Sequence, residues 1–203
     1  MDKDYTAIPS PEILKNAAES ELLDAKGDKV KFGELIKDKK TVVVFIRHFF
    51  CGNCQAFVEQ LGSVSSDSLA EADTQIVVIG CGEWNPISTY TEMTKFEGPI
   101  YADPTRTLYH TLGMDVETLK GTPKGETKRS YLTVGGFTNA MLSIWRGPMK
   151  NPALVGKQGN ISQLGGDFIF GPGNTCSLAY RMRHTEDHME VADLMQAAGV
   201  LYP

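Results

Sequence analysis

Long apolar runs are missing from this 203-residue chain. Nothing in it approaches the roughly 20 consecutive apolar residues that a membrane-spanning helix needs, so no membrane partner is expected. Basic runs are missing as well. Twenty Lys and Arg stand against 25 Asp and Glu, a formal net charge of −5, so no nucleic-acid partner is expected either. Cysteine is scarce: four residues are too few to staple a secreted disulfide scaffold of this length. The first residues, Met1-Asp2-Lys3-Asp4-Tyr5, are acidic and polar, unlike a secretory signal or an Arg-rich transit peptide. Together these features predict a reducing, cytoplasmic setting. No internal repeat and no low-complexity segment is present, which predicts one domain over residues 1–203. An apolar content of 41% at this length suffices for a proper core.

Two of the four cysteines stand three residues apart, in Cys51-Gly52-Asn53-Cys54. Upstream lies the apolar, β-branched run Thr41–Ile46; downstream, Phe57, Val58 and Leu61 recur at helical spacing. The order is strand, short loop, helix, with the C-x-x-C where the helix begins. A helix N-terminus presents unpaired N–H groups that favour a thiolate, and the spacing permits a local disulfide. Arg47 and His48, just upstream, are candidates to add positive charge. This is a redox motif of the thioredoxin type. The plain alternatives are a structural pair or half of a zinc site. A zinc site needs about four ligands, and His184-x-x-x-His188 lies far along the chain from Cys54.

Around this motif the pattern repeats. Ser10-Pro11-Glu12 opens a helix to about Ser20, and residues 21–24 and 29–32 form a hairpin with Gly27 in its turn. A short helical turn over 33–37 precedes the strand from Thr41. A polar stretch over 63–74 leads to a second buried strand at 75–80. Asn85-Pro86 starts a helix to about Phe96, and 99–101 is a third strand. Asp103-Pro104 pairs a cap with a first-position proline, and Gly113 ends that helix. Residues 115–128 read as an exposed loop. Tyr131, Val134, Phe137, Met141 and Ile144 predict a helix over 129–145. Residues 167–170 and 177–182 form a second hairpin. Thr185 caps a last helix, with Gly199 past its end.

The remaining candidates are weaker. Cys81, at the end of a buried strand, is expected to behave as a small apolar residue, although strand ends of parallel sheets also collect active sites. Cys176 is expected in an exposed hairpin turn, where it is a candidate to resolve a mixed disulfide. Arg146 and Arg129 are candidates to supply a cation. His48 either tunes Cys51 or packs beneath the loop. His110, His184 and His188 are expected on solvated helix faces, and Trp84 either lines a pocket mouth or joins the core.

Several motifs give the chain a family resemblance: Asp24–Val30, Phe45-Ile-Arg-His-Phe-Phe-Cys-Gly-Asn-Cys54, Asp103–Gly113, Ile144-Trp-Arg146 and Gln163–Gly173. Over about residues 20–199 it resembles the AhpC/TSA antioxidant family of peroxiredoxin relatives. Within that family it looks most like the peroxiredoxin-like branch that includes prostamide/prostaglandin F synthase. The resemblance implies an α/β thioredoxin fold with a central mixed sheet flanked by helices. It also implies an N-terminal hairpin extension and a helical insertion, about 115–165, before the last hairpin.

One departure bears on chemistry. Peroxiredoxins carry P-x-x-x-T-x-x-C. Placing Cys51 at that cysteine puts Val44 and His48 at the Pro and Thr positions, and placing Cys54 there puts Arg47 and Cys51. The proline usually found before the last thioredoxin hairpin is replaced by Leu164-Gly165-Gly166. Dithiol–disulfide exchange is therefore the expected activity, with Cys51 attacking and Cys54 resolving, and peroxide reduction is expected to be weak. The alternatives are a thiol-dependent reductase of peroxides or lipid endoperoxides, and a non-catalytic redox sensor or iron–sulfur-binding module. No bound cofactor is expected. The expected partners are a thioredoxin or glutathione system and a small-molecule or protein disulfide or peroxide; a homodimer is left open.

Overall fold

Val42, Val44 and Ile46 alternate with Val43 and Phe45 along one strand, and all five are fully buried. A strand that is apolar on both faces needs cover on both, which puts it in the middle of a layered α/β structure. The computed structural model, which describes residues 4–132, 149 and 151–202, shows that arrangement. The strand is β3 (Lys40–Ile46), after α1 (Pro11–Ala18), β1 (Glu21–Leu23), β2 (Lys29–Lys31) and α2 (Phe32–Leu35). There follow α3 (Gly52–Leu61), α4 (Ser66–Glu71), β4 (Thr74–Gly80), α5 (Ile87–Thr94), β5 (Ile100–Ala102) and α6 (Thr107–Thr111). The hairpin β6 (Gly166–Phe170) and β7 (Cys176–Arg181) and the helix α7 (Val191–Ala198) close the chain.

The seven strands form one mixed sheet in the order β2-β1-β5-β4-β3-β6-β7. β3 runs parallel to β4, with Ile46 opposite Gly80, and antiparallel to β6, with Val44 opposite Asp167. On one face Val42, Val44 and Ile46 pack with Phe57, Val58 and Leu61 of α3 and with Leu194 and Met195 of α7. On the other, Val43 and Phe45 pack with Leu14, Phe32, Leu108, Tyr109 and Phe168. Each such side chain contributes about 1.5–3 kcal/mol on burial. The N-terminal hairpin extends one edge of the sheet, where Leu23 pairs with Ala102.

Five expectations need correction. The polar stretch over 63–74 contains a helix, α4, which Ser65 caps by accepting from Asp67 N; it buries no side chain, so no apolar pattern marks it. Pro104 is not the first residue of α6. Asp103 still caps that helix, accepting from the N–H groups of Thr107, Leu108 and Tyr109, but Arg106 intervenes at a φ of 59°.

The last helix starts at Val191, not at Thr185. Asp187, fully buried, accepts instead from Arg183 N, from the Tyr180 hydroxyl and from the Arg129 guanidinium, which holds residues 183–190 in an irregular loop. His184 and His188 are consequently buried rather than solvated. Residues 129–132, where the sequence predicts the start of a helix over 129–145, form a turn; the rest of that helix and residues 133–148 and 150 of the expected insertion lie outside the described residues.

Candidate active site

The buried strand β3 delivers Arg47 and His48 to the start of α3. At its end, Cys51 N donates to His48 O at 3.0 Å, closing a turn, and Gln55 Nε2 donates to Phe49 O at 3.3 Å. The turn needs room. The ring of Phe49 lies over Gly80, where a Cβ would stand 2.4 Å from a ring carbon, so β4 must end in glycine. Phe49 N also donates to Gln158 O at 3.1 Å, tying the loop to residues 156–161.

Cys51 is the N-cap of α3. Its backbone is extended and its sulfur accepts from Cys54 N at 3.3 Å, where a Ser or Asp side chain more commonly serves. Cys54 Sγ lies 2.8 Å from Cys51 Sγ and donates to it; all four cysteines are free thiols. Arg47 serves both sulfurs: its Nη1 donates to Cys51 Sγ at 3.4 Å, and its backbone N donates to Cys54 Sγ at 3.4 Å. Its Nη2 donates to Ile161 O at 2.6 Å, which fixes the guanidinium. Asn53 Nδ2 reaches Thr185 O at 3.4 Å, so the loop before α7 borders the site.

These contacts separate the two acidities. Burial pushes the Cys51 thiol up. The Cys54 thiol, the Arg47 guanidinium and the Cys54 amide outweigh it and hold Cys51 well below the ordinary cysteine range. Burial and the neighbouring Cys51 sulfur push Cys54 well above that range. The arrangement is a thiolate beside a thiol. Burial also lowers His48 to about 4, so the ring is neutral near pH 7, and Arg47 is the cation that acts on Cys51 there.

Of the residues singled out from sequence, Cys51, Cys54, Arg47 and His48 come together. Cys51 is nearly as buried as Cys54, 4% against 0% exposed, rather than standing free at the helix end. Cys176 does not join them. It is half-buried as the first residue of β7, paired with Phe170, which lies opposite Thr41 at the far end of β3. That register places Cys176 away from the dithiol in this fold. Arg129 is committed to Asp187 and Tyr180, and Arg146 lies outside the described residues.

Two further contributors appear: Cys81, which the sequence favours as a small apolar residue, and a segment that it does not single out. Cys81 touches Arg47, and residues 156–161 clamp the loop through Gln158 and Ile161. A signal for the second existed in Gly156-Lys157-Gln158-Gly159, whose two glycines both have positive φ. Where a proline precedes the last hairpin in other thioredoxin folds, Gly165 packs so closely that a Cβ would meet Phe45 O at 1.7 Å. Among the described residues no group of three His, Cys, Asp or Glu could hold a metal ion, and no helix is long and apolar enough to cross a membrane.

The mixed sheet, its flanking helices and a dithiol at the head of α3 define a thioredoxin fold of the peroxiredoxin kind. Peroxiredoxin 6 of Arenicola marina, solved as a cysteine-to-serine variant, superposes with a TM-score of 0.60 at 15% identity, covering 89% of this chain and 69% of its own. The sequence model described as AhpC/TSA antioxidant enzyme matches residues 60–184, and the chain belongs to that family. Peroxiredoxin-like 2C of Mus musculus is 36% identical over 184 residues, 90% of this chain and 79% of its own length. The prostamide/prostaglandin F synthase of Xenopus tropicalis is 25% identical over 194 residues, 93% of this chain and 85% of its own. The family match begins inside α3, beyond both cysteines, so the chemistry of the dithiol has to be argued from its geometry.

Proposed function

We propose that this protein is a thiol–disulfide oxidoreductase in which Cys51 attacks and Cys54 resolves. One observation carries the reading: Cys51 Sγ receives the Cys54 thiol at 2.8 Å, the Cys54 amide at 3.3 Å and the Arg47 guanidinium at 3.4 Å. A sulfur that accepts three donors is held as a thiolate, and its neighbour keeps the proton. The Cys51 thiolate attacks one sulfur of a substrate disulfide. The S–S bond breaks, the departing thiolate takes a proton from water, and a mixed disulfide remains. Cys54 then loses its proton and attacks Cys51, releasing the second substrate thiol and leaving a Cys51–Cys54 disulfide. The substrate is reduced by two electrons and the dithiol oxidised by two. A thiol reductant of the thioredoxin or glutathione class, in the cytoplasm, restores the dithiol.

A second reading has its own support. Arg47 Nη1 stands beside Cys51 Sγ, and the Nε of the same buried guanidinium has no partner among the described residues, so a donor is present where an oxygen would leave a hydroperoxide or lipid endoperoxide. With a hydroperoxide, Cys51 would take the terminal oxygen as a sulfenic acid and release an alcohol. Cys54 would then condense with it to the disulfide and water. The synthase named above makes this class of substrate worth including.

The test is a panel of small-molecule disulfides, protein disulfides and hydroperoxides, with NADPH oxidation followed through a thioredoxin or glutathione relay. Disulfide reduction is expected, and its loss in Cys51→Ser. Full activity of Cys51→Ser, or peptide maps joining Cys51 to Cys81 or Cys176 after mild oxidation, would overturn the assignment.

A further inference from the structure

Cys81 takes no part in the exchange described above, yet it touches the residue that serves both sulfurs. The parallel register sets Gly80 opposite Ile46, so the next residues, Cys81 and Arg47, leave their strands side by side. There Cys81 Sγ donates to Arg47 O at 2.9 Å. Arg47 is thereby held at three points: its carbonyl by Cys81, its amide by Cys54 Sγ, and its guanidinium by Cys51 Sγ and Ile161 O. Holding the amide and the carbonyl of one residue fixes its φ and ψ, and with them the direction in which its side chain leaves the backbone. The Cys81 contact therefore helps aim the guanidinium.

The thiol is suited to this. Cys81 is 2% exposed, and Gly159 packs so closely that a Cβ there would stand 2.7 Å from its sulfur. Burial pushes its pKa up to about 12, so near neutrality it keeps the proton it donates and is a poor nucleophile.

We propose that Cys81 is a positioning residue for the dithiol: its S–H, held against Arg47 O, orients Arg47 so that amide and guanidinium meet Cys54 and Cys51. The proposal rests on the assignment of Cys51 as the attacking thiolate. Its test compares wild type with Cys81→Ala, which removes the donor, and Cys81→Ser, which restores one. The readout is the pH dependence of Cys51 alkylation, mapped by peptide, with the melting temperature recorded for each protein. Cys81→Ala should move the Cys51 midpoint upward by about half to one pH unit and slow alkylation at pH values below that midpoint by about 3–10-fold, the size of one modest hydrogen bond. Cys81→Ser should return both towards wild type. An unchanged midpoint in Cys81→Ala would overturn the proposal. So would a Cys81→Ser protein displaced as far as Cys81→Ala, since the effect would then follow packing and not the donor. A wild-type Cys51 that titrates like an ordinary cysteine would instead overturn the exchange assignment, a result the wild-type curve reveals by itself.

Discussion

The imidazole of His188 lies flat on the ring of Phe57, with centroids 4.4 Å apart and planes within 2° of parallel. Phe57 sits one turn past Cys54 on α3, so this histidine forms part of the floor beneath the dithiol helix. Behind it, His188 Nδ1 pairs with Asp167 Oδ1 at 2.8 Å, and Asp167 Oδ2 accepts from Met189 N at 2.8 Å. Both side chains are buried, at 1% and 0% exposed. Removing one partner of a buried hydrogen-bonded pair leaves the other unmatched, which typically costs about 1–3 kcal/mol. Asp167→Ala is expected to lose about that much stability in urea unfolding. A loss below about 1 kcal/mol, the worth of an exposed pair, would show that the pair does not hold this floor.

The two thiols should differ in reactivity. The Cys51 sulfur is held as thiolate and the Cys54 sulfur as thiol, so iodoacetamide should label Cys51 well ahead of Cys54 near neutral pH. Cys54→Ser is expected to trap mixed disulfides on Cys51, visible by intact mass. Equal labelling of the two cysteines would contradict the division of roles.

Acid should weaken the fold through His48. Unfolded, this histidine takes up a proton near its ordinary value of 6.5; folded, burial delays that to about pH 4. Between those values the unfolded state binds more protons. The contribution is therefore complete above about pH 6.5 and is lost progressively as pH falls towards 4. The gap corresponds to about 3 kcal/mol. Urea midpoints at pH 7 and pH 4.5 for wild type and His48→Gln check this, with the variant expected to show the flatter response. Parallel losses in the two proteins would remove His48 from the account.

Hydrogen peroxide should oxidise Cys51 slowly. With Cys51 at the family's cysteine, Val44 and His48 stand where its proline and threonine do, and with Cys54 there Arg47 and Cys51 do, so neither register restores the threonine hydroxyl. A missing preorganised donor typically costs about 10²–10³ in rate. Stopped-flow oxidation by hydrogen peroxide and by an alkyl hydroperoxide measures it. Rates near the diffusional ceiling would make Arg47 alone a sufficient peroxide-orienting group.

The central strands and the dithiol were legible because local chemistry dictates them. Thr41–Ile46 is apolar on both faces, and the C-x-x-C falls where helical spacing begins. The start of the last helix was misplaced because Thr185-Glu186-Asp187 looks like a cap, whereas Asp187 finds partners in Arg129, more than fifty residues earlier, and in Tyr180. His184 and His188 were misread for the same reason: a buried pair with Asp167 leaves no local pattern. The contact of Cys81 with Arg47 depends on the register between β3 and β4, which neither strand encodes alone.

Arg47 addresses the two sulfurs by different parts of itself, and those parts have different fates in descent. Its contact with Cys54 is made by the peptide N–H, which every residue except proline supplies. Its contact with Cys51 is made by the guanidinium, which one codon change can remove. A lineage can therefore lose the guanidinium's share of the attacking sulfur's acidity in a single step, while the Cys54 thiol and amide still face that sulfur and the resolving sulfur keeps its amide partner. Descendants altered at this position should retain a dithiol that still closes, but one that closes slowly.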